Sequence, residues 1–164
     1  MIDPAYCVLM ARYNQWMNRK LYQACEGLDE ARRKQEVGAF FGSIQGTLNH
    51  LLYGDTVWMR RFTGRPTAGL HARMEFHPDF AALRAMREVF DSEIVDWAGK
   101  LEPVWLATDF TYTRQSDNQV VTRPAWQLVT HMFNHQTHHR GQITTLLLQY
   151  GVDPGVTDLP AMPV

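Results

Sequence analysis

Four of the seven histidines in this chain fall within nine residues of one another, at His131, His135, His138 and His139. Residues four apart lie one above the other on a helix, so His131, His135 and His139 would form a single stripe. Inward-facing imidazoles are costly unless their nitrogens find partners. An i, i+4 histidine pair is the spacing by which helices bind zinc and related transition metals. The apolar residues that flank the stripe and turn it toward the interior are Leu128, Met132, Ile143 and Leu146.

The spacing leaves open which two histidines would form the metal-binding pair. His131 with His135 and His135 with His139 have the same i, i+4 geometry. Core histidines that are hydrogen-bonded and bind no metal are the competing interpretation. His138 lies about 100° around the helix from His139, and we expect it to face solvent.

A third candidate ligand is His50, which lies within an earlier apolar helical segment between Leu48 and Leu51. Metal sites in helical bundles form where side chains of facing helices converge. Two ligands from one helix and one from another leave a coordination position open, as catalytic zinc sites do. His71 and His77 lie in an irregular segment, and we expect both at the surface.

Several other metal-site and nucleotide-site signatures are missing. Gln136 follows His135 where the H-E-x-x-H motif of zinc peptidases requires glutamate. The sequence contains neither the zinc deaminase signature nor the paired Glu-x-x-His elements of di-iron bundles. It also contains no glycine-rich phosphate loop. A mononuclear centre with three histidines is compatible with all these exclusions.

The surrounding pattern predicts an all-α fold, a four-helix bundle in one domain spanning residues 1–164. A proline- and glycine-containing segment, Arg65 to Pro78, would form a long crossover between the second and third long helices. Residues Thr108 to Thr122 carry the β-branched and turn residues of a small hairpin. The four helices are expected over Pro4 to Glu26, from the N-cap Ser43 to a stop at Gly64, from Asp79 to about Leu101, and from Pro124 to Tyr150.

Composition excludes several classes of partner. The formal net charge is -1 and the pI about 6.6, without a long basic run, so we expect no nucleic-acid partner. No segment approaches the ~18 consecutive apolar residues of a membrane span, and the N-terminus lacks a secretion signal. Cys7 and Cys25 would lie roughly 27 Å apart on one helix, too far to pair. Two free thiols favour a cytoplasmic location.

Several motifs together resemble the DinB/YfiT-like superfamily, and the resemblance extends from about Tyr6 to Tyr150. The most distinctive segment is Asn134–Gln142, which matches the pattern H-x-x-x-H-R-G-Q. The other matching segments are Met10–Trp16, Gly46–Leu52 and Trp58–Gly64.

This resemblance implies a four-helix bundle in up-down-down-up order, often dimeric, that holds one zinc, nickel or iron ion. It implies that the ligands are His50, His135 and His139, and so favours His139 over His131. Some relatives are S-transferases or isomerases that use low-molecular-weight thiols. The family name refers to induction by DNA damage, a stress response, and does not imply DNA binding.

Three functions agree with such a site. The leading hypothesis is a thiol-dependent S-transferase acting on a small-molecule electrophile. Tyr53 could line the pocket or donate to the substrate, or be a core aromatic, and His131 could support a ligand or relay a proton. The second is metal-assisted hydrolysis, which would need a proton acceptor beside a bound water. The third is a non-catalytic module that senses, stores or is stabilised by metal.

Overall fold

Four long helices make up most of the computed structural model, which describes residues 1–163. The chain is mostly helical and carries one small antiparallel sheet. Two short helices and one 3-10 turn complete it. In chain order the elements are α1 (Pro4–Glu26), α2 (Glu30–Lys34), α3 (Ile44–Phe62), α4 (Phe80–Ala98), α5 (Pro103–Leu106), β1 (Asp109–Thr113), β2 (Val120–Pro124), α6 (Ala125–Gln149) and the 3-10 turn Leu159–Ala161.

Side-chain caps explain where the first three long helices begin. Asp3, Ser43 and Asp79 each accept a hydrogen bond from a backbone N–H in the first turn of α1, α3 and α4. Such caps satisfy amide groups that have no partner inside the helix. The predicted starts of these helices are therefore confirmed.

The structure differs from the predicted helices in one boundary and in two additional short helices. Helix α4 ends at Ala98, and its last turn is capped by the backbone N–H of Gly99 rather than continuing to Leu101. The short helices α2 and α5 were not predicted. Each begins with an ordinary start signal, the Asp29 cap of α2 and Pro103 in the first turn of α5. Both are too short to show an apolar period in the sequence.

Each long helix packs against two of the others. Helix α1 contacts α4 and α6, and α3 contacts the same two helices. The interior between them contains two apolar clusters, in which the most buried side chains include Leu21, Leu48, Leu52, Leu83 and Ile143 in one and Met59, Ile94, Val129 and Phe133 in the other. This packing agrees with a helical bundle, while the up-down-down-up order and the single domain stay predictions.

The β-hairpin before α6 is present, and it packs on α3. Strands β1 and β2 pair antiparallel with Tyr112 opposite Val121. The turn between them includes Asn118, whose φ of 57° is the left-handed conformation that asparagine tolerates. The ring of Tyr112 meets Trp58 of α3 edge-on at 5.2 Å between centroids. This contact holds the hairpin beside the C-terminal half of α3.

A buried polar network joins all four long helices. Arg87 of α4 donates to Asp55 of α3 at 2.7 Å, and its other terminal nitrogen lies 2.7 Å from Asp91. Gln136 of α6 also donates to Asp55, and Arg140 of α6 donates to an α1 asparagine. Burial raises the pKa of Asp55 to about 6, while Arg87 opposes the rise. The ion pair with Arg87 favours the ionised form of Asp55. The members of this network are Asn14, Asn18, Asp55, Arg87, Asp91, Gln136 and Arg140.

Both cysteines lie on α1, the helix to which the sequence assigns them. Both are buried and, within the part of the chain that the structure describes, free. Burial raises the pKa of Cys7 to about 11 and that of Cys25 to about 12, so both remain thiols. None of the helices in residues 1–163 is both long enough and apolar enough to cross a membrane.

Candidate metal centre

Three imidazole rings from two helices converge on one point. His50 comes from α3, and His135 and His139 come from α6. The Nε2 atoms of His50 and His135 lie 3.0 Å apart, and those of His135 and His139 lie 3.1 Å apart. Across residues 1–163, no cysteine, aspartate or glutamate belongs to this cluster. The structure thus brings together the three histidines that the resemblance indicated, from distant parts of the chain.

The outer two rings each have a protein acceptor at Nδ1. His50 Nδ1 lies 3.0 Å from the carbonyl oxygen of Ala72, and His139 Nδ1 lies 2.8 Å from Oε1 of Gln142. Carbonyl oxygens only accept, so Nδ1 of both rings must carry the hydrogen. A neutral imidazole protonated at Nδ1 presents a lone pair at Nε2. Both outer rings therefore direct lone pairs toward His135.

Hydrogen bonds alone cannot satisfy this arrangement. The hydrogen on Nε2 of His135 can be donated to His50 or to His139, but not to both. The Nε2 lone pair of the remaining outer ring then faces His135 without a donor. A cation placed among the three nitrogens would satisfy every lone pair. Imidazole nitrogens whose other ring nitrogen donates to a carbonyl are typical ligands of transition metals. The three histidines could therefore hold a metal ion.

The rings are in the protonation state that metal binding requires. Burial, together with the neighbouring imidazoles, lowers the pKa of His135 from 6.5 to about 3. Burial also lowers the pKa of His50 to about 4, against the opposing effect of the Ala72 carbonyl. The pKa of His139 is lowered by burial as well. All three rings are neutral at pH 7, so few protons compete with a cation.

Neighbouring residues fix the positions of the rings. Phe41, from the loop before α3, stacks on His50 with 3.5 Å between centroids and 16° between planes. Gly54, one turn after His50 on α3, faces the ring of His135. A Cβ atom at position 54 would lie only 2.7 Å from Cε1 of His135. The absence of a side chain at Gly54 is what lets this ring approach α3.

We expect Gly54→Ala to weaken metal binding by at least about tenfold, since disturbing the support of a ligand typically costs 10–100-fold in affinity. The added methyl would push the His135 ring away from the other two. Competition with a chromophoric chelator would measure the affinity.

Gly141→Ala on α6 is the matched control, because a Cβ there meets nothing within 4 Å. It should leave metal affinity unchanged and raise stability by about 0.5–1 kcal/mol, the usual gain for alanine over glycine in a helix. Equal metal affinities for the two variants would contradict the close packing of Gly54 on His135.

The remaining histidines lie outside the three-histidine cluster. The exposed His131 has its ring centroid 6.0 Å from that of His135 and meets Trp58 edge-on at 5.3 Å. His138 is exposed, as expected, and lies 3.3 Å from the Gln142 amide nitrogen. His71 is exposed and His77 is half-buried.

The other candidate, Tyr53, is half-buried and uses its hydroxyl within the protein. It donates to Oε1 of Gln115 in the hairpin turn at 2.8 Å, and Gln115 in turn donates to the carbonyl of Thr67 at 2.9 Å. The hydroxyl therefore lies at the rim of the site, tied to two loops.

Several residues that position the three histidine rings were not predicted from the sequence. Gln142 could have been found, because it lies three residues after His139 within the recognised H-x-x-x-H-R-G-Q segment. Gly54 and Phe41 have no distinguishing motif. The contribution of Ala72 is a backbone carbonyl, which no residue type reveals.

A small pocket opens beside His135, between α3 and the hairpin turn. Its volume is about 200 Å³. We call it the hairpin pocket, and it is lined by Tyr53, Gly54, Val57, Trp58, Arg61, Arg114, Gln115, Ser116, His131 and His135. A larger groove of about 780 Å³ lies elsewhere, between α1 and the C-terminal tail, and none of the seven histidines lines it. The hairpin pocket adjoins the three-histidine cluster at His135.

Comparison with known proteins decides the family. The model of the DinB family matches residues 1–163. The chain belongs to the DinB family. It is also similar to Protein DinB of Bacillus subtilis (strain 168), with 24% identity over 149 residues that cover 89% of this chain and 87% of that protein. Membership in the DinB family and the three-histidine cluster are both compatible with a metal-binding protein.

Proposed function

We propose that this DinB family chain is a thiol-dependent S-transferase in which His50, His135 and His139 hold one divalent zinc, nickel or iron ion. The observation that carries the proposal is the convergence of three neutral imidazoles whose tautomers leave a lone pair unsatisfied. Three protein ligands leave a further position open, which is the catalytic rather than the structural pattern. The hairpin pocket borders this cluster at His135.

A divalent ion held there would lower the pKa of a bound thiol, so that the sulfur is a nucleophilic thiolate at neutral pH. In the overall reaction a bond forms between sulfur and an electrophilic carbon, and the leaving group departs with its bonding electrons. The proton from the thiol needs an acceptor. We assign this role to His131, which lines the hairpin pocket with its ring centroid 6.0 Å from that of His135.

Other residues of the pocket orient and shield the substrates. Val57 and Trp58 are buried on α3 and give the hairpin pocket an apolar wall that excludes water. Tyr53, held by Gln115, lies at the rim, where its hydroxyl oxygen can accept a hydrogen bond from a substrate. Phe41 covers the outer face of His50.

Metal-assisted hydrolysis is less well supported. No aspartate or glutamate among residues 1–163 lines the hairpin pocket or joins the histidine cluster. His131 alone would have to activate water. The family resemblance supports two further proposals, a homodimer and a role in the response to stress in the cytoplasm.

The experiment is a turnover assay with metal-loaded protein, a low-molecular-weight thiol and a haloarene electrophile, in which chromatography detects the thioether product. His138→Ala, which removes an exposed histidine outside the cluster, should retain full activity, and His135→Ala should show only the uncatalysed rate. Equal rates for His135→Ala and the unchanged protein would overturn the proposal. Ester cleavage without thiol would favour hydrolysis. A melting temperature that falls on chelation, with no activity, would favour a structural metal.

A further inference from the structure

We infer that the hairpin pocket binds the carboxylate of a small acidic substrate through Arg61. This inference rests on the proposed function, because it names a chemical class for one of the two substrates of that site. Arg61 lies near the end of α3 and shares the pocket wall with His135. The substrate would be a short molecule with a carboxylate at one end and its reacting group at the other.

The guanidinium of Arg61 is held in place by aromatic rings. Its central carbon lies 4.7 Å from the ring centroid of Trp58 and 4.4 Å from that of Tyr112. Its Nη2 donates to the carbonyl of Thr113 at 3.1 Å. Cation–π contacts on two rings order this side chain before any ligand arrives.

Arg61 lacks an anionic partner within the part of the chain that the structure describes. No aspartate or glutamate there forms a salt bridge with it, and its Nε is buried without a hydrogen-bond acceptor. The other cation of the pocket, Arg114, is already paired, with Nη2 2.6 Å and Nε 2.9 Å from the carboxylate oxygens of Asp117. His131, which lines the same pocket, is never anionic and so supplies no counterion. A partly buried cation without a counterion is costly unless a ligand supplies the opposite charge.

The shape of the guanidinium and the size of the pocket define the ligand. Arginine recognises carboxylates through a planar set of donors, with two hydrogen bonds when the geometry allows. A volume of about 200 Å³ is below the roughly 300 Å³ at which pockets for drug-sized ligands begin. The buried side chains Val57 and Trp58 line the same wall as Arg61. A carboxylic acid with a short apolar spacer fits this wall.

Either substrate could carry the carboxylate, so the experiment includes both. Calorimetry would measure the affinity of cobalt-loaded protein for ω-mercapto acids of three to six carbons and for their neutral amides. The same comparison would use 4-chloro-3-nitrobenzoate and its amide as electrophiles. We expect an acid in one of the two series to bind about tenfold more tightly than its amide, as one hydrogen-bonded charge pair provides. The series that shows the preference identifies the acidic substrate.

Variants of Arg61 test whether this residue causes the preference for the acid over the amide. Arg61→Gln should abolish the difference between acid and amide and leave affinity for the amide unchanged. Arg61→Lys, which keeps the charge, should retain part of the difference and serves as the readout if the glutamine variant folds poorly. Arg60→Gln is the matched control, because Arg60 lies outside the pocket and donates to the carbonyl of Pro66. Equal affinity for acid and amide in both series, or a preference that survives Arg61→Gln, would overturn the inference.

A second readout separates this inference from the proposed function. A thiolate bound to cobalt gives a sulfur-to-metal charge-transfer absorption in the near ultraviolet. If the mercapto-amides produce the band and no acid is preferred, only the carboxylate inference is wrong. If an acid is preferred through Arg61 and no thiol produces the band, the transferase proposal is wrong and the carboxylate site stands.

Discussion

Replacing His135 with alanine is expected to reduce metal content from about one ion per chain to less than about 0.1, because loss of even a supporting partner weakens metal binding 10–100-fold. His135 is the central ring, within 3.0 Å of His50 and 3.1 Å of His139 at Nε2. Removing it leaves two ligands on different helices. Elemental analysis of protein purified and dialysed under identical conditions would measure the loss.

His138→Ala is the control for this variant, since it removes a histidine from the same helix that is exposed and outside the cluster. It should retain the metal content of the unchanged protein. His131→Ala should retain it too, because His131 lies outside the cluster. Metal content that fell with His131→Ala and persisted with His135→Ala would show that the wrong histidines were assigned as ligands.

Replacing Arg87 with alanine is expected to lower the free energy of unfolding by about 3–5 kcal/mol, the cost of removing one partner from a buried ion pair. The side chain of Arg87 is 1% exposed and lies 2.7 Å from both Asp55 and Asp91, so its loss leaves two buried carboxylates without their ion-pair partner. Urea denaturation followed by circular dichroism would measure the change.

Arg84→Ala on the same helix is the comparison. Arg84 is more exposed and pairs with two half-exposed glutamates, Glu26 and Glu88. Pairs at the surface contribute about 0–1 kcal/mol, so this variant should cost at most about 1 kcal/mol. Similar losses for the two variants would mean that the buried polar network does not stabilise the fold as its burial implies.

The sequence predicted the main elements where the responsible interactions are local. The caps at Asp3, Ser43 and Asp79 use side chains a few residues from the amides that they satisfy, so their positions are readable without a structure. Helical spacing likewise placed His135 and His139 on one face. Spacing alone could not choose between His131 and His139, and the choice came from the resemblance to the DinB family.

The buried polar network could not be predicted because its contacts join residues far apart in the chain. Arg87 and Asp91 stand four residues apart, a spacing that is also typical of a solvated ion pair on a helix surface. Nothing local reveals that Asp55, 32 residues before Arg87, supplies the second carboxylate. Gln136 and Arg140 lie inside the recognised motif, yet they bond to this network rather than to the ligand cluster.

The hydrogen bond from His50 to the carbonyl of Ala72 places an unusual constraint on the segment between α3 and α4. Because the acceptor belongs to the main chain, many different side chains can occupy position 72 without altering the bond. An insertion or deletion on the α3 side of Ala72 would instead shift that carbonyl away from the imidazole. Among relatives of this protein, the segment should therefore tolerate substitutions freely while its length is preserved.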